Sequence, residues 1–151
     1  FLSAARSPLD RIKAVVWEKV IDKETAMKEL LDACCGELPE IRNAAWRSLL
    51  EREERGGTFG GEDVLIPHVR VKGIVRPMVA IGVGKAGIED RMTRRMAKVM
   101  FLLLSPEDSS EEHIELLAAL ARRARDEKWV REVFAAGSAE EVKWITETWE
   151  G

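Results

Sequence analysis

Few residues of this chain can do chemistry near neutral pH. Its 151 residues include two histidines, two cysteines and no tyrosine. His68 follows Pro67 directly after the apolar run 64–66. A strand end sets a side chain at the rim of a sheet, where sites in α/β folds form, and proline restrains the backbone just before it. His113 falls in the first turn of a helix opened by Ser109 or Ser110, four residues before Leu117. Leu117, Ala121 and Ala124 continue that face, so His113 points inward beside a helix N-terminus, which favours anions. Arg52 comes three residues after Leu49, at the edge of an apolar stripe. Two inward-tending imidazoles and an arginine fork suit a phosphoryl group. A neutral imidazole is the nucleophile, and a guanidinium neutralises charge on the equatorial oxygens. The glycine loop 56–61 adds Thr58, whose hydroxyl would support a backbone anion cradle. Each feature also has a plainer reading: a turn histidine, a helix-boundary histidine, an arginine drawn to a helix C-terminal dipole, and a surface turn. Spacing does not show that the groups converge.

Other motifs point elsewhere or nowhere. Cys34 and Cys35 are adjacent, poorly placed to bridge each other and without a second pair, which fits a reducing compartment, the cytoplasm. They form an incomplete metal-ligand set. Gly82-Val83-Gly84-Lys85-Ala86-Gly87 matches G-x-G-x-x-G after a strand, and Glu107 lies 20 residues beyond Gly87. That pattern would suit a dinucleotide. The following segment 88–96 has helical spacing at Ile88, Met92 and Met96, yet it is short for a crossover helix and carries Arg91, Arg94 and Arg95. A glycine-loosened strand end or hairpin is the alternative.

The elements around these residues follow from composition and pattern. With 46% hydrophobic and 34% charged residues, the chain has a real core and is neither disordered nor a disulfide scaffold. A net charge of -3 gives no reason to expect nucleic acid. The longest apolar runs, 99–104 and 116–121, are far too short to span a bilayer, so no direct membrane insertion of this segment is expected. The chain opens on Phe1, which points to a piece of a longer protein. Residues 13–20 read as a first strand. Asp22 caps a helix over 23–35 that stops at Gly36, and Pro39 opens a second helix to about Arg55. Strands are expected at 64–66, 77–83 and 98–104, with more extended chain around Val69, Val71 and Ile74. Ser109 and Glu112 form a capping box for a helix to about Asp126, and two shorter helices follow, over 128–136 and 138–149. Helices, strands and helices again make an α/β layered domain with a mixed sheet.

Read together, Leu50-Glu51-Arg52-Glu53, Gly57-Thr58 and Ile66-Pro67-His68 resemble the type-2 EIIA domain of the sugar phosphotransferase system. The fructose–mannitol and nitrogen-regulatory branches share that domain. Phe101-Leu102-Leu103-Leu104-Ser105-Pro106-Glu107, Glu112-His113-Ile114 and Asp22-Lys23-Glu24-Thr25-Ala26 are similar to it too. The resemblance spans nearly the whole chain. It implies one domain over 1–151, a three-layer α/β/α sandwich around a mixed sheet of about five strands. It implies that His68 is phosphorylated, that Arg52 clamps the phosphoryl oxygens, and that His113 donates a hydrogen bond; Thr58 would bind phosphate. Phosphate would come from an HPr-like phosphocarrier and pass to an EIIB domain, or its presence would serve as a regulatory signal. No cofactor or metal is implied. The alternative is a regulatory interaction domain of a membrane transporter with little or no phosphotransfer. Docking would need an apolar patch around the site, for which some of the five tryptophans could serve. One departure is the basic stretch Arg91-Met92-Thr93-Arg94-Arg95-Met96, which points to a different docking surface or partner.

Overall fold

Two long antiparallel strands organise the molecule. The computed structural model describes residues 8–56 and 59–151. In chain order, a short 3-10 turn at Pro8–Arg11 leads into β1 (Lys13–Trp17), β2 (Ile21–Asp22), α1 (Lys23–Cys35) and α2 (Pro39–Glu54). β3 (Val64–Leu65), β4 (His68–Val71), β5 (Met78–Asp90) and β6 (Arg95–Pro106) follow, then α3 (Ser110–Arg125), α4 (Glu127–Ala135) and α5 (Ala139–Thr148). β5 and β6 pair antiparallel at the centre. β1 and β2 both run parallel to β5 on its outer side, and β3 and β4 both run parallel to β6. The sheet therefore has six strands but is only four wide, against the five or so expected.

Side-chain alternation makes three layers unavoidable. Along β6, Val99, Phe101 and Leu103 pack with α3, α4 and α5, while Met100, Leu102 and Leu104 pack with α1 and α2. All six are completely buried. A strand apolar on both faces must be covered on both, so the sheet lies inside a sandwich. Several ends form as their residues dictate. The Asp22 carboxylate accepts from Thr25 N at 3.1 Å to start α1. Pro39 opens α2, where its missing N–H has no partner to lose. Ser138 accepts from Glu141 N at 3.2 Å to start α5. The capping box at Ser109 does not form. Ser109 stands at the N-cap of α3 with ψ 59, away from the extended backbone a capping hydroxyl needs, and its side chain makes no cap bond.

The glycine motif is a bulge, not a nucleotide loop. Val83 pairs with Val99 and Ile88 with Ala97, so residues 84–87 stand opposite Lys98 alone. Gly87, at φ 107, takes the left-handed conformation that this excursion requires. No helix follows; β5 simply continues to Asp90. The excursion delivers Lys85 to the end of α4, where its ammonium donates to the carbonyls of Phe134 and, at 2.6 Å, Ala136. The lysine satisfies orphan carbonyls of a helix C-terminus, where a cation is also favoured by the dipole. Two of its three donors are thus engaged by α4, and with no helix after the glycines the dinucleotide reading lapses.

Candidate functional site

β4 is an edge strand, and its alternation divides its residues between two layers. Val69 and Val71 are buried in the α1–α2 core. His68 and Arg70 therefore project to the opposite face, toward α3. Ser105 of β6 is the register partner of Arg70, and it continues the face of Phe101 and Leu103. It is completely buried. The N-terminal turn of α3 comes down on this corner and brings His113 with it. The two imidazole rings lie 5.7 Å apart, centroid to centroid, tilted by 42°.

Each ring is held through Nδ1, but by a different kind of partner. His68 Nδ1 lies 2.7 Å from the carbonyl oxygen of Ile66. Between them, Pro67 has no N–H, and its own carbonyl accepts from Leu103 N at 3.1 Å, which ties this corner to β6. A carbonyl can only accept, so Nδ1 of neutral His68 carries the proton and Nε2 keeps its lone pair. His113 Nδ1 lies 2.7 Å from Ser105 Oγ, a group that can donate or accept.

Arg52 arrives from the other layer. It is in the last turn of α2 and half-buried, and its guanidinium forms no hydrogen bond or ion pair among the described residues. Because β4 is at the sheet edge, the end of α2 and the start of α3 meet across it. An open cleft of about 790 Å³ lies there, holding His68, His113 and Arg52 together. Arg55, Arg70 and Lys72 also line it, against the carboxylates Glu51 and Glu107. The protein carries a net charge of -3, so this cationic concentration is local. Such a cleft attracts anions.

The end of α2 is anchored by a buried ion cluster. Glu53, next to Arg52, pairs with Lys23 at 2.8 Å, and Lys23 also reaches Asp90 at 3.2 Å. Asp90 further accepts from Thr93 Oγ1 at 2.9 Å. The cluster joins the start of α1, the end of α2 and the end of β5.

Both imidazoles are held below their ordinary value. Burial is the main cause for His68, aided by the Arg52 charge and opposed by the hydrogen bond to Ile66. For His113 burial again comes first, followed by the charges of His68 and Arg70. Both rings are therefore neutral at neutral pH, as a nucleophile requires. NMR titration is expected to give both histidines midpoints below 6.5. The linkage has a definite sign. The unfolded chain binds these protons first, so stability is full above 6.5 and falls as pH drops toward the folded midpoints. A histidine titrating above 6.5 would contradict the geometry.

Three of the four residues singled out from the sequence meet in the cleft. The fourth, Thr58, lies outside the described residues. The sequence reading missed Arg70, Ser105 and Ser110. Arg70 donates to Ser110 Oγ at 2.6 Å, tying β4 to the first residue of α3. Counting by two from His68 would have marked Arg70, and Ser105 is the hydroxyl that ends the apolar run of β6, one residue past the expected strand end. The tryptophans do not line the cleft; the exposed apolar side chain there is Ile114. The basic stretch also lies elsewhere. Arg95 is eight residues along β6 from Leu103, the partner of His68, which is about 25 Å of strand.

Residues 10–147 match the sequence model of the family described as "Phosphoenolpyruvate-dependent sugar phosphotransferase system, EIIA 2". The chain belongs to the type-2 EIIA family. This EIIA chain is 33% identical over 140 residues to the fructose-specific EIIA component of Haloferax volcanii, covering 91% of itself and 89% of that protein. It is 32% identical over 101 residues to a nitrogen regulatory protein of Pseudomonas aeruginosa, covering 66% of each. Its fold superposes on the nitrogen regulatory protein IIA-Ntr of Neisseria meningitidis with a TM-score of 0.76 at 26% identity, covering 92% and 94% of the two chains. The mannitol IIA structure of Escherichia coli gives 0.64 at 22% identity, with 89% and 95% covered. These neighbours share its α/β/α fold. Among the described residues, no helix is long and apolar enough to cross a membrane, and no group of three His, Cys, Asp or Glu side chains could hold a metal ion.

Proposed function

We propose that this EIIA chain carries a phosphoryl group on Nε2 of His68. It takes the group from an HPr-like phosphocarrier and passes it to an EIIB domain, or uses its presence as a signal. The observation that carries this is the pairing of His68 Nδ1 with the Ile66 carbonyl, which leaves Nε2 as a lone pair in a cationic cleft. The lone pair attacks phosphorus, the N–P bond of the donor breaks, and its electron pair returns to the donor's ring nitrogen. The step is reversible, which suits a carrier. The Arg52 guanidinium is uncommitted among the described residues and supplies a fork for the equatorial oxygens. His113 stands across the cleft as a hydrogen-bond donor. Family membership supports both protein partners, and a structural neighbour was solved as mannitol IIA in complex with phosphorylated IIB.

The test is incubation with phosphoenolpyruvate, Enzyme I and HPr. Wild type is expected to take up one acid-labile phosphoryl group, seen by intact mass. Arg52→Met is expected to slow uptake about a hundredfold, the effect of removing one preorganised donor from a developing negative charge. Uptake by Arg52→Met at the wild-type rate would remove Arg52 from the mechanism. Relatives named as nitrogen regulatory proteins favour use of the phosphorylated state as a signal on this same site.

A further inference from the structure

Ser105 and the Ile66 carbonyl hold two identical rings by the same atom, and the difference between them is chemical. A carbonyl permits one tautomer: His68 must carry its proton on Nδ1. A hydroxyl permits two. Ser105 Oγ is fully buried, makes no other side-chain hydrogen bond among the described residues, and has His113 Nδ1 as its partner at 2.7 Å. Beside a neutral ring the buried hydroxyl has His113 Nδ1 as the one acceptor for its hydrogen among the described residues, so it donates, Nδ1 accepts and the proton of His113 sits on Nε2. The opposite orientation would bury that hydrogen without a partner. When His113 is protonated, the hydroxyl rotates and accepts, and Nε2 still carries a proton. A carbonyl in its place would strip Nε2 of its proton in the neutral ring. The neighbouring bond from Arg70 to Ser110 Oγ engages that serine, and Arg70 has no acceptor to offer the His113 ring.

We propose that Ser105 is a positioning residue that sets His113 as the Nε2–H tautomer, so that His113 is the donor and His68 the nucleophile of an otherwise symmetric pair. This rests on the carrier reading above for its consequence, not for its geometry. Ser105 never touches the phosphoryl group; it acts through His113. The assignment also explains why a hydroxyl ends an otherwise apolar run inside the core. A buried polar atom is retained there because it has a partner whose proton it directs.

The experiment uses long-range nitrogen–proton NMR on the whole chain, at a pH above the imidazole range, with wild type, Ser105→Ala and Ser105→Thr. His113 is expected as Nε2–H in wild type and Ser105→Thr, and as a tautomer mixture in Ser105→Ala, with His68 unchanged as Nδ1–H. Phosphoryl uptake by Ser105→Ala is expected to fall about tenfold, the effect of one hydrogen bond made in the transition state, and to recover in Ser105→Thr. Thermal midpoints verify that both variants fold. If the threonine methyl does not fit, Ser105→Cys supplies a weaker donor and an intermediate tautomer ratio. His113 found as Nδ1–H in wild type, or an unaltered tautomer in Ser105→Ala, overturns the proposal. The tautomer measurement needs no phosphate donor. A wild type that takes up no phosphate yet shows Nε2–H on His113 overturns the carrier reading and leaves the Ser105 assignment standing.

Discussion

His68→Ala is expected to take up no phosphoryl group from phospho-HPr, a loss of at least about a thousandfold, while keeping its fold. The reason lies in which nitrogens are free. His68 Nε2 is the only imidazole nitrogen in the cleft whose lone pair is dictated by a backbone carbonyl. His113 shares the cleft, but its partner is a hydroxyl that leaves it free to serve as a donor. His113→Ala is therefore expected to slow transfer while still forming phosphohistidine on His68. His68 is only half-buried at a sheet edge, so its truncation costs about 1 kcal/mol or less of stability. Labelling that persists in His68→Ala, mapped by peptide mass to His113, would reverse the two roles. A blank result in His68→Ala alone carries weight only beside a labelled wild type, and the two are run together.

Lys23→Met is expected to lower folding stability by about 3–5 kcal/mol, more than any single change in the cleft, because it strands two buried carboxylates. Glu53 and Asp90 converge on the Lys23 ammonium at 2.8 and 3.2 Å, and both are nearly or fully excluded from water. Removing a cation between them leaves like charges facing each other in a low dielectric, which is far costlier than losing a surface pair. The pH dependence follows from the same groups. Burial alone would lower Lys23, but the bonds and charges of Glu53 and Asp90 outweigh it and raise it above 10.5. That contribution is complete below the unfolded value and disappears as pH rises through the folded one. Burial alone would raise Asp90, but Thr93 and Lys23 outweigh it and hold it below 3.8. Its contribution is complete above 3.8 and disappears as pH falls through the folded value. Urea melts of wild type and Lys23→Met at neutral pH check the magnitude, and a change below about 1 kcal/mol would mean that the carboxylates protonate or reach water instead. Because Glu53 is the neighbour of Arg52, phosphoryl uptake is expected to weaken as well.

The elements that could be read from the chain were those whose signals are local. Asp22, Pro39 and Ser138 each satisfy or omit a backbone donor within one helical turn, so the starts of α1, α2 and α5 followed from nearest neighbours. The apolar run of β6 was legible as a strand at 98–104. His68, Arg52 and His113 were recognisable as candidates because imidazole and guanidinium are rare and specific in what they can do.

What the chain could not disclose depends on register. The motif around Gly84 and Gly87 has the spelling of a phosphate loop, and only its position between Val83–Val99 and Ile88–Ala97 makes it a bulge whose lysine caps α4. Arg70 and Ser105 are 35 residues apart and become neighbours solely through the parallel pairing of β4 with β6. Lys23, Glu53 and Asp90 come from three elements and meet only when α1 and α2 pack together on the sheet. The sequence by itself determined the layered α/β class, the helix starts and the kinds of chemistry available, because propensity, capping and side-chain acidity act over one or two turns. The tertiary structure alone decided that three distant residues share one cleft, which nitrogen of His68 is bare, and that a hydroxyl faces His113. A tautomer is set by the partner across a hydrogen bond, and the Ser105 partner of His113 is brought there by the docking of α3 on the sheet.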